Sequence, residues 1–241
     1  MLDGRHIAVV GGSRGIGAAT AIRCAELGAR LFIVFRSRER EAVEVAKRTG
    51  GLAYQADASV DGEIDKAFEG YSSLDGLVVS AGIFEGLPIE QMTVEFWDRM
   101  MAVNLRSTFL SVRAAARSMR QGAKGGSIVI ISSTAGQRGS AIFSAYATSK
   151  AAQIMFVRSM ALELAPDNIR VNCIAPAWTE TEMADASLTE LGREEVAKQF
   201  ALGRIGQPED VANAAAFLLS DQASFITGST ITVDGGFDMR G

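Results

Sequence analysis

Tyr146 and Lys150 stand four residues apart in a segment, residues 145–164, whose apolar residues recur at helical spacing. On a helix, i and i+4 share one face, so a phenol and an ammonium are brought together. Upstream, the β-branched run Ile128-Val129-Ile130-Ile131 has strand composition and ends in Ser132 and Ser133. A strand-end hydroxyl facing a Tyr/Lys pair is a set of parts for moving a proton to or from an oxygen. The plainer reading is a surface Tyr, a solvated Lys and a structural Ser. For an isolated Tyr-x-x-x-Lys that reading is the better one, so the rest of the chain has to decide.

Composition narrows the field. At 241 residues, with 48% hydrophobic and 22% charged residues, the chain suits a single α/β domain with a sizeable core. A net charge of −4 offers no basic field for nucleic acid or an acidic membrane. No apolar run is long enough to span a bilayer, and no signal peptide precedes the first strand. Cys24 and Cys173 lack a paired spacing, which fits reduced, buried thiols in a cytoplasmic protein. His6 is the one histidine, at the start of an apolar strand; no metal cluster is expected.

The elements that must position the Tyr/Lys pair alternate along the whole chain. Strands are expected at His6–Val10, Arg30–Phe35, Leu52–Gln55 and residues 74–79, 127–131, 170–174 and 229–233. Helices are expected at residues 15–27, 40–49, 60–70, 94–119 and 145–164 and at Pro208–Leu219. Apolar strands each followed by a helix imply a parallel sheet covered on both faces, a doubly wound Rossmann-type α/β domain. Ligands of such a sheet lie beyond the strand carboxyl ends. Residues 177–204 lack sheet character and would overhang that crevice as a substrate-covering segment. Directly after the first strand comes Gly11-Gly12-Ser13-Arg14-Gly15-Ile16-Gly17. Glycines there permit a tight turn and let backbone N–H groups approach a phosphate, with a helix N-terminus behind them.

Ser133-x(12)-Tyr146-x(3)-Lys150, the G-x-x-x-G-x-G turn, Ser80-Ala81-Gly82, Asn104, the segment Asn172–Thr181 and the C-terminal run from Gly206 to Gly236 together resemble the short-chain dehydrogenase/reductase family. The likeness covers essentially the whole chain and is nearest to β-ketoacyl carrier-protein reductases and related ketone/alcohol enzymes. Departures are Val10 in place of a usual Thr, Val79-Ser80 in place of Asn-Asn, and Ala177 in place of Gly. The resemblance implies an NADP(H)-dependent carbonyl reductase or alcohol dehydrogenase that acts on a small ketone or secondary alcohol. It also implies a homotetramer. Tyr146 would be the acid/base, Ser133 a second donor to the substrate oxygen, and Asn104 the holder of a water linked to the lysine. Lys150 would hold the nicotinamide ribose and lower the phenol's pKa from about 10 towards ~7, which asks for about 4 kcal/mol. Asp57 would sit near the adenine amino group, although a turn Asp before Ser59 is nearly as good a reading. Ala81 and Gly82 would approach the cofactor through their backbone; Pro176, Thr179 and Thr181 would lie against the carboxamide. Phe84, Phe143, Trp178 and Met183 would line the substrate pocket.

Cofactor choice has a physical reading of its own. NAD-using relatives place an Asp at the end of the second strand, where this chain has Phe35 followed by Arg36. With Arg14 in the glycine turn, two guanidiniums are expected beside a 2′-phosphate. At about 1.5–3 kcal/mol for a charged hydrogen bond, each would account for roughly a 10- to 150-fold preference for NADP(H). A dinucleotide-binding sensor or scaffold without turnover is the competing reading, and the intact Ser133/Tyr146/Lys150 set speaks against it.

Overall fold

The computed structural model describes residues 1–69 and 74–239. Seven parallel strands form one sheet: β1 (His6–Val10), β2 (Arg30–Phe35), β3 (Leu52–Gln55), β4 (Gly76–Val79), β5 (Gly126–Ile131), β6 (Ile169–Pro176) and β7 (Thr230–Val233), in the order β3-β2-β1-β4-β5-β6-β7. Side chains alternate across a strand, and here both faces are covered. Val9, Ile33, Val78, Val129 and Ile174 join one core; their successors Val10, Val34, Val79, Ile130 and the neighbouring Cys173 join the other. The first core includes Ala21 of α1 (Gly15–Glu26), Ala42 of α2 (Glu39–Thr49) and Ala215 near the C-terminus. The second includes Ile64 of α3 (Glu63–Glu69). Gly70, the last residue of the helix expected over 60–70, lies outside the described residues.

The expected helix 94–119 is one rod with a fault in it. α4 (Val94–Met101) passes through a π turn at Ala102–Arg106 into α5 (Ser107–Gly122). A short turn, α6 (Ala135–Arg138), follows β5, and then comes α7 (Ser144–Leu164), whose Val157 joins Val112 of α5 in the second core. Residues 177–204 are helical where no element was expected: α8 (Glu182–Leu191) and α9 (Arg193–Ala197) precede α10 (Pro208–Leu219). They carry a small core of their own, in which Leu188 and Val196 pack with Phe200, Ile205 and Phe237. Among the described residues no helix is long and apolar enough to cross a membrane.

Strand order reverses at β1, which pairs with β2 on one side and β4 on the other. A crevice must open beyond the carboxyl ends of β1 and β4, because the connections leave in opposite directions there. The glycine turn, Arg36, Asp57, Ala81, Gly82, Tyr146 and Lys150 all line it.

Candidate active site

A cavity of about 230 Å³ runs along the crevice, lined by Gly11, Ser13, Arg14, Gly15 and Ile16 from the first turn. It continues past Arg36, Asp57, Ala81 and Gly82 to Tyr146, Lys150 and Thr181. Only glycine fits at two places in the turn. Gly11 has φ +81°, and a Cβ there would stand 2.5 Å from the backbone nitrogen of Ala81; a Cβ on Gly17 would collide with the Gly11 carbonyl. The turn therefore lies directly against the end of β4, leaving the N-terminus of α1 open. That helix has no side-chain cap at Arg14 and no acidic residue in its first turn. Uncapped N–H groups beside a glycine cradle suit a phosphate, so the residues present fit a dinucleotide. Thr181 closes the far wall: its Cγ2 would be 3.3 Å from a Cβ on Gly15.

At the adenosine end the arginines are already paired. Arg14 Nη1 lies 2.6 Å from Glu182 Oε2, and Arg36 Nη1 lies 3.8 Å from Asp57 Oδ2. Arg38, which the sequence reading passed over, reaches Glu41 at 3.2 Å and Glu182 at 3.8 Å. Asp57 is first of all a turn residue, accepting from the Ser59 backbone N–H at 2.9 Å and the Ser59 hydroxyl at 2.6 Å. It also lines the cavity. Phe35 is buried at 4% exposure within the core shared with Ile33.

Ser133, Tyr146 and Lys150 come together where the cavity ends. Lys150 Nζ sits 5.7 Å from the centre of the Tyr146 ring and donates to the Ile131 carbonyl at 3.0 Å. Ser132 fixes the unit by donating to the Lys150 carbonyl at 2.8 Å, which leaves Ser133 facing the phenol. Burial pushes the Tyr146 phenol up to about 12, drawn back in part by its hydrogen bond with Ser133. Burial likewise brings Lys150 down to about 8, against a smaller opposing influence of Cys173. Desolvation disfavours the charged form of each group, so burial alone moves the phenol away from the ~7 that Lys150 and an oxidised nicotinamide would together have to reach.

Asn104, expected either to face solvent or to hold a water, is fully buried. Its Oδ1 accepts from the Ile83 N–H at 2.8 Å, and its Nδ2 donates to the Ile83 carbonyl and to Ser149 Oγ. The π turn frees the Asn104 carbonyl, which accepts from Thr108 Oγ1 and from Gln153 Nε2, each at 2.8 Å. Two donors fill both lone pairs. The side chain therefore pins residues 81–83, whose backbone walls the cavity, to the helix that carries Lys150. Gln153 was invisible as a partner in the sequence, since only the π turn brings a carbonyl to it.

A second cavity of about 160 Å³ adjoins the first and shares Ile16, Ser132, Tyr146, Thr181 and Met183 with it. Ser133, Phe84, Phe143 and Trp178, all expected at the substrate, line it too; Pro176 and Thr179, expected against the carboxamide, line this cavity and not the first, and Arg138 and Phe237 are additions. Phe84 is the hub: it stacks on Phe143 at 4.5 Å and meets Tyr146 at 4.9 Å and Trp178 at 5.6 Å edge-on. Ile142, directly before Phe143, has φ +59°, a strained setting for a β-branched residue. Leu188 lies under α8 and not in the pocket.

A dinucleotide cleft that meets an aromatic-walled pocket at a Ser/Tyr/Lys cluster defines an oxidoreductase of the nicotinamide class. A family model described as enoyl-(acyl carrier protein) reductase matches residues 10–238. The chain is 40% identical to 3-oxoacyl-[acyl-carrier-protein] reductase FabG of Aquifex aeolicus, covering 98% of each chain. It is 35% identical to glucose 1-dehydrogenase 2 of Bacillus subtilis, covering 99% of this chain and 96% of the other. The solved structure of a short-chain type dehydrogenase/reductase from Mycobacterium ulcerans superposes with a TM-score of 0.92 at 35% identity, covering 99% of this chain and 91% of that one. The chain belongs to the short-chain dehydrogenase/reductase family.

Proposed function

We propose that this protein is an NADP(H)-dependent carbonyl reductase and alcohol dehydrogenase, working between a ketone and a secondary alcohol. The observation that carries the reading is Tyr146 on the seam of the two cavities, with Ser133 at its phenol and Lys150 beneath its ring. A bound nicotinamide supplies or takes the hydride. The glycine turn and Ile16 hold the pyrophosphate; Arg14 and Arg36 face the 2′-phosphate and Asp57 the adenine. The Ala81 and Gly82 backbone, Pro176, Thr179 and Thr181 enclose the nicotinamide half.

A phenol pushed up to about 12 keeps its proton at neutral pH, which makes Tyr146 the general acid towards a carbonyl oxygen. Ser133 gives that oxygen a second hydrogen bond as negative charge develops. Lys150, brought to about 8, is mostly charged at neutral pH and binds ribose hydroxyls. Asn104 acts as a positioning residue. Phe84, Phe143, Trp178 and Met183 select an apolar body on the substrate, and residues 177–204 cover it. Exposed Phe109 on α5 and exposed Met155 and Leu162 on α7 support the packing of these helices in a homotetramer. Free, buried Cys24 and Cys173 suit the cytoplasm.

Tyr146→Phe tests the assignment. The ring keeps its contacts with Phe84 and Lys150, so the fold and nucleotide affinity should hold. Turnover across a panel of ketones, followed by NADPH absorbance, should fall by at least ~10²-fold. Retention of more than a tenth of wild-type turnover would overturn the role given to Tyr146.

A further inference from the structure

Glu182 is the first residue of α8, yet its carboxylate belongs to the adenosine end of the cleft. Oε2 lies 2.6 Å from Arg14 Nη1 and 3.8 Å from Arg38 Nη2, so one oxygen ties the glycine turn to the segment after β2. All three side chains line the same cavity as Arg36. Carboxylates and phosphates make the same demand on a guanidinium: charge-assisted hydrogen bonds in its plane. A carboxylate already in contact with Arg14 therefore stands where a phosphate would make its own contact.

We infer that Glu182 is a built-in competitor for the 2′-phosphate of NADP(H), and so a specificity-determining residue. The inference rests on the NADP(H) reading above. The phosphate must break the Arg14–Glu182 pair to reach Arg14, whereas the unphosphorylated ribose of NAD(H) leaves that pair standing. Preference for the phosphorylated cofactor is then set by the difference between two anions, a phosphate of nearly two charges and a carboxylate of one. Because Thr181 and Met183 flank Glu182 and line both cavities, the same exchange releases the start of α8 from the glycine turn.

The probes are 2′,5′-ADP and 5′-AMP, titrated calorimetrically at matched ionic strength into wild type, Glu182→Gln and Glu182→Ala. Glu44→Gln, an exposed change on α2, removes the same charge elsewhere. Loss of an exposed pair of this kind should tighten 2′,5′-ADP by about two- to fivefold and leave 5′-AMP unchanged. Tightening confined to 2′,5′-ADP and absent in Glu44→Gln supports the competitor. Equal changes for both nucleotides, an equal effect of Glu44→Gln, or no change in either Glu182 variant overturns it. In those cases a wild type that still prefers 2′,5′-ADP leaves the NADP(H) reading intact. A wild type that binds 2′,5′-ADP no better than 5′-AMP refutes that reading and this inference together.

Discussion

Lys150 offers a test that needs no knowledge of the substrate. Its side chain is 5% exposed, its ammonium has one backbone carbonyl for a partner, and no carboxylate among the described residues pairs with it. Burial holds its pKa at about 8 against an ordinary 10.5. For a group depressed on folding, the unfolded chain binds more protons between the two values, so stability rises with pH across that window. Below about 8 the buried charge costs the full difference, roughly 3 kcal/mol. Lys150→Met keeps the length and an adaptable apolar shape while removing the charge. The variant should be more stable than wild type at neutral pH, and its advantage should shrink as the pH rises from about 8 towards 10.5. Cys24 is common to both proteins, and its raised pKa drops out of the difference. Urea denaturation at several pH values, with wild type and variant side by side, gives the difference directly. A stability difference independent of pH, or a variant less stable than wild type throughout, would refute the claim that Lys150 is held against its own solvation.

Two further outcomes follow from the cleft. Arg36→Ala should lower the ratio of kcat/KM for NADPH over NADH by about fivefold, because Arg36 is exposed and already shared with Asp57; steady-state kinetics at fixed ionic strength measure it. Gly11→Ala should cost about 2–4 kcal/mol of stability, from a strained positive φ and from displacement of Ala81, and should weaken nucleotide binding at least tenfold. Gly50→Ala, at φ +64° with open space around it, should cost only about 1 kcal/mol and leave binding unchanged, as chemical denaturation and calorimetry will show.

What could be read in the sequence is what local pattern controls. β1, β2 and α10 fall on the expected residues because strands buried on both faces leave unbroken apolar runs, and because Pro208 marks a helix start. Ser133, Tyr146 and Lys150 were legible because one strand-turn-helix unit carries all three. The π turn at Ala102–Arg106 was not, since it depends on the capture of Asn104 by Ile83 and Ser149, contacts made across the fold. α8 and α9 were missed because Leu188 and Val196 are buried by Phe200 and Phe237, residues outside their helices. The desolvation of Tyr146 and Lys150 was not legible for a related reason: adjacency of charges shows in spacing, but loss of solvent does not.

The two ends of the cleft differ in how their charges are met, and the difference bears on cofactor choice. At the seam, Lys150 is a buried amine with a backbone carbonyl for its partner and Tyr146 is a half-buried phenol held neutral, so a ligand that brings hydroxyls meets no carboxylate there among the described residues. At the adenosine end, Arg14, Arg36 and Arg38 each have a carboxylate within 4 Å before any ligand is considered. A 2′-phosphate there exchanges one set of ion pairs for another, and exchange yields less than new contact. The 10- to 150-fold per arginine drawn from residue type alone takes no account of these pairs. Most of the binding free energy should come from the glycine turn and the nicotinamide half, with discrimination between NADP(H) and NAD(H) reduced to the small surplus of a phosphate over Glu182 and Asp57.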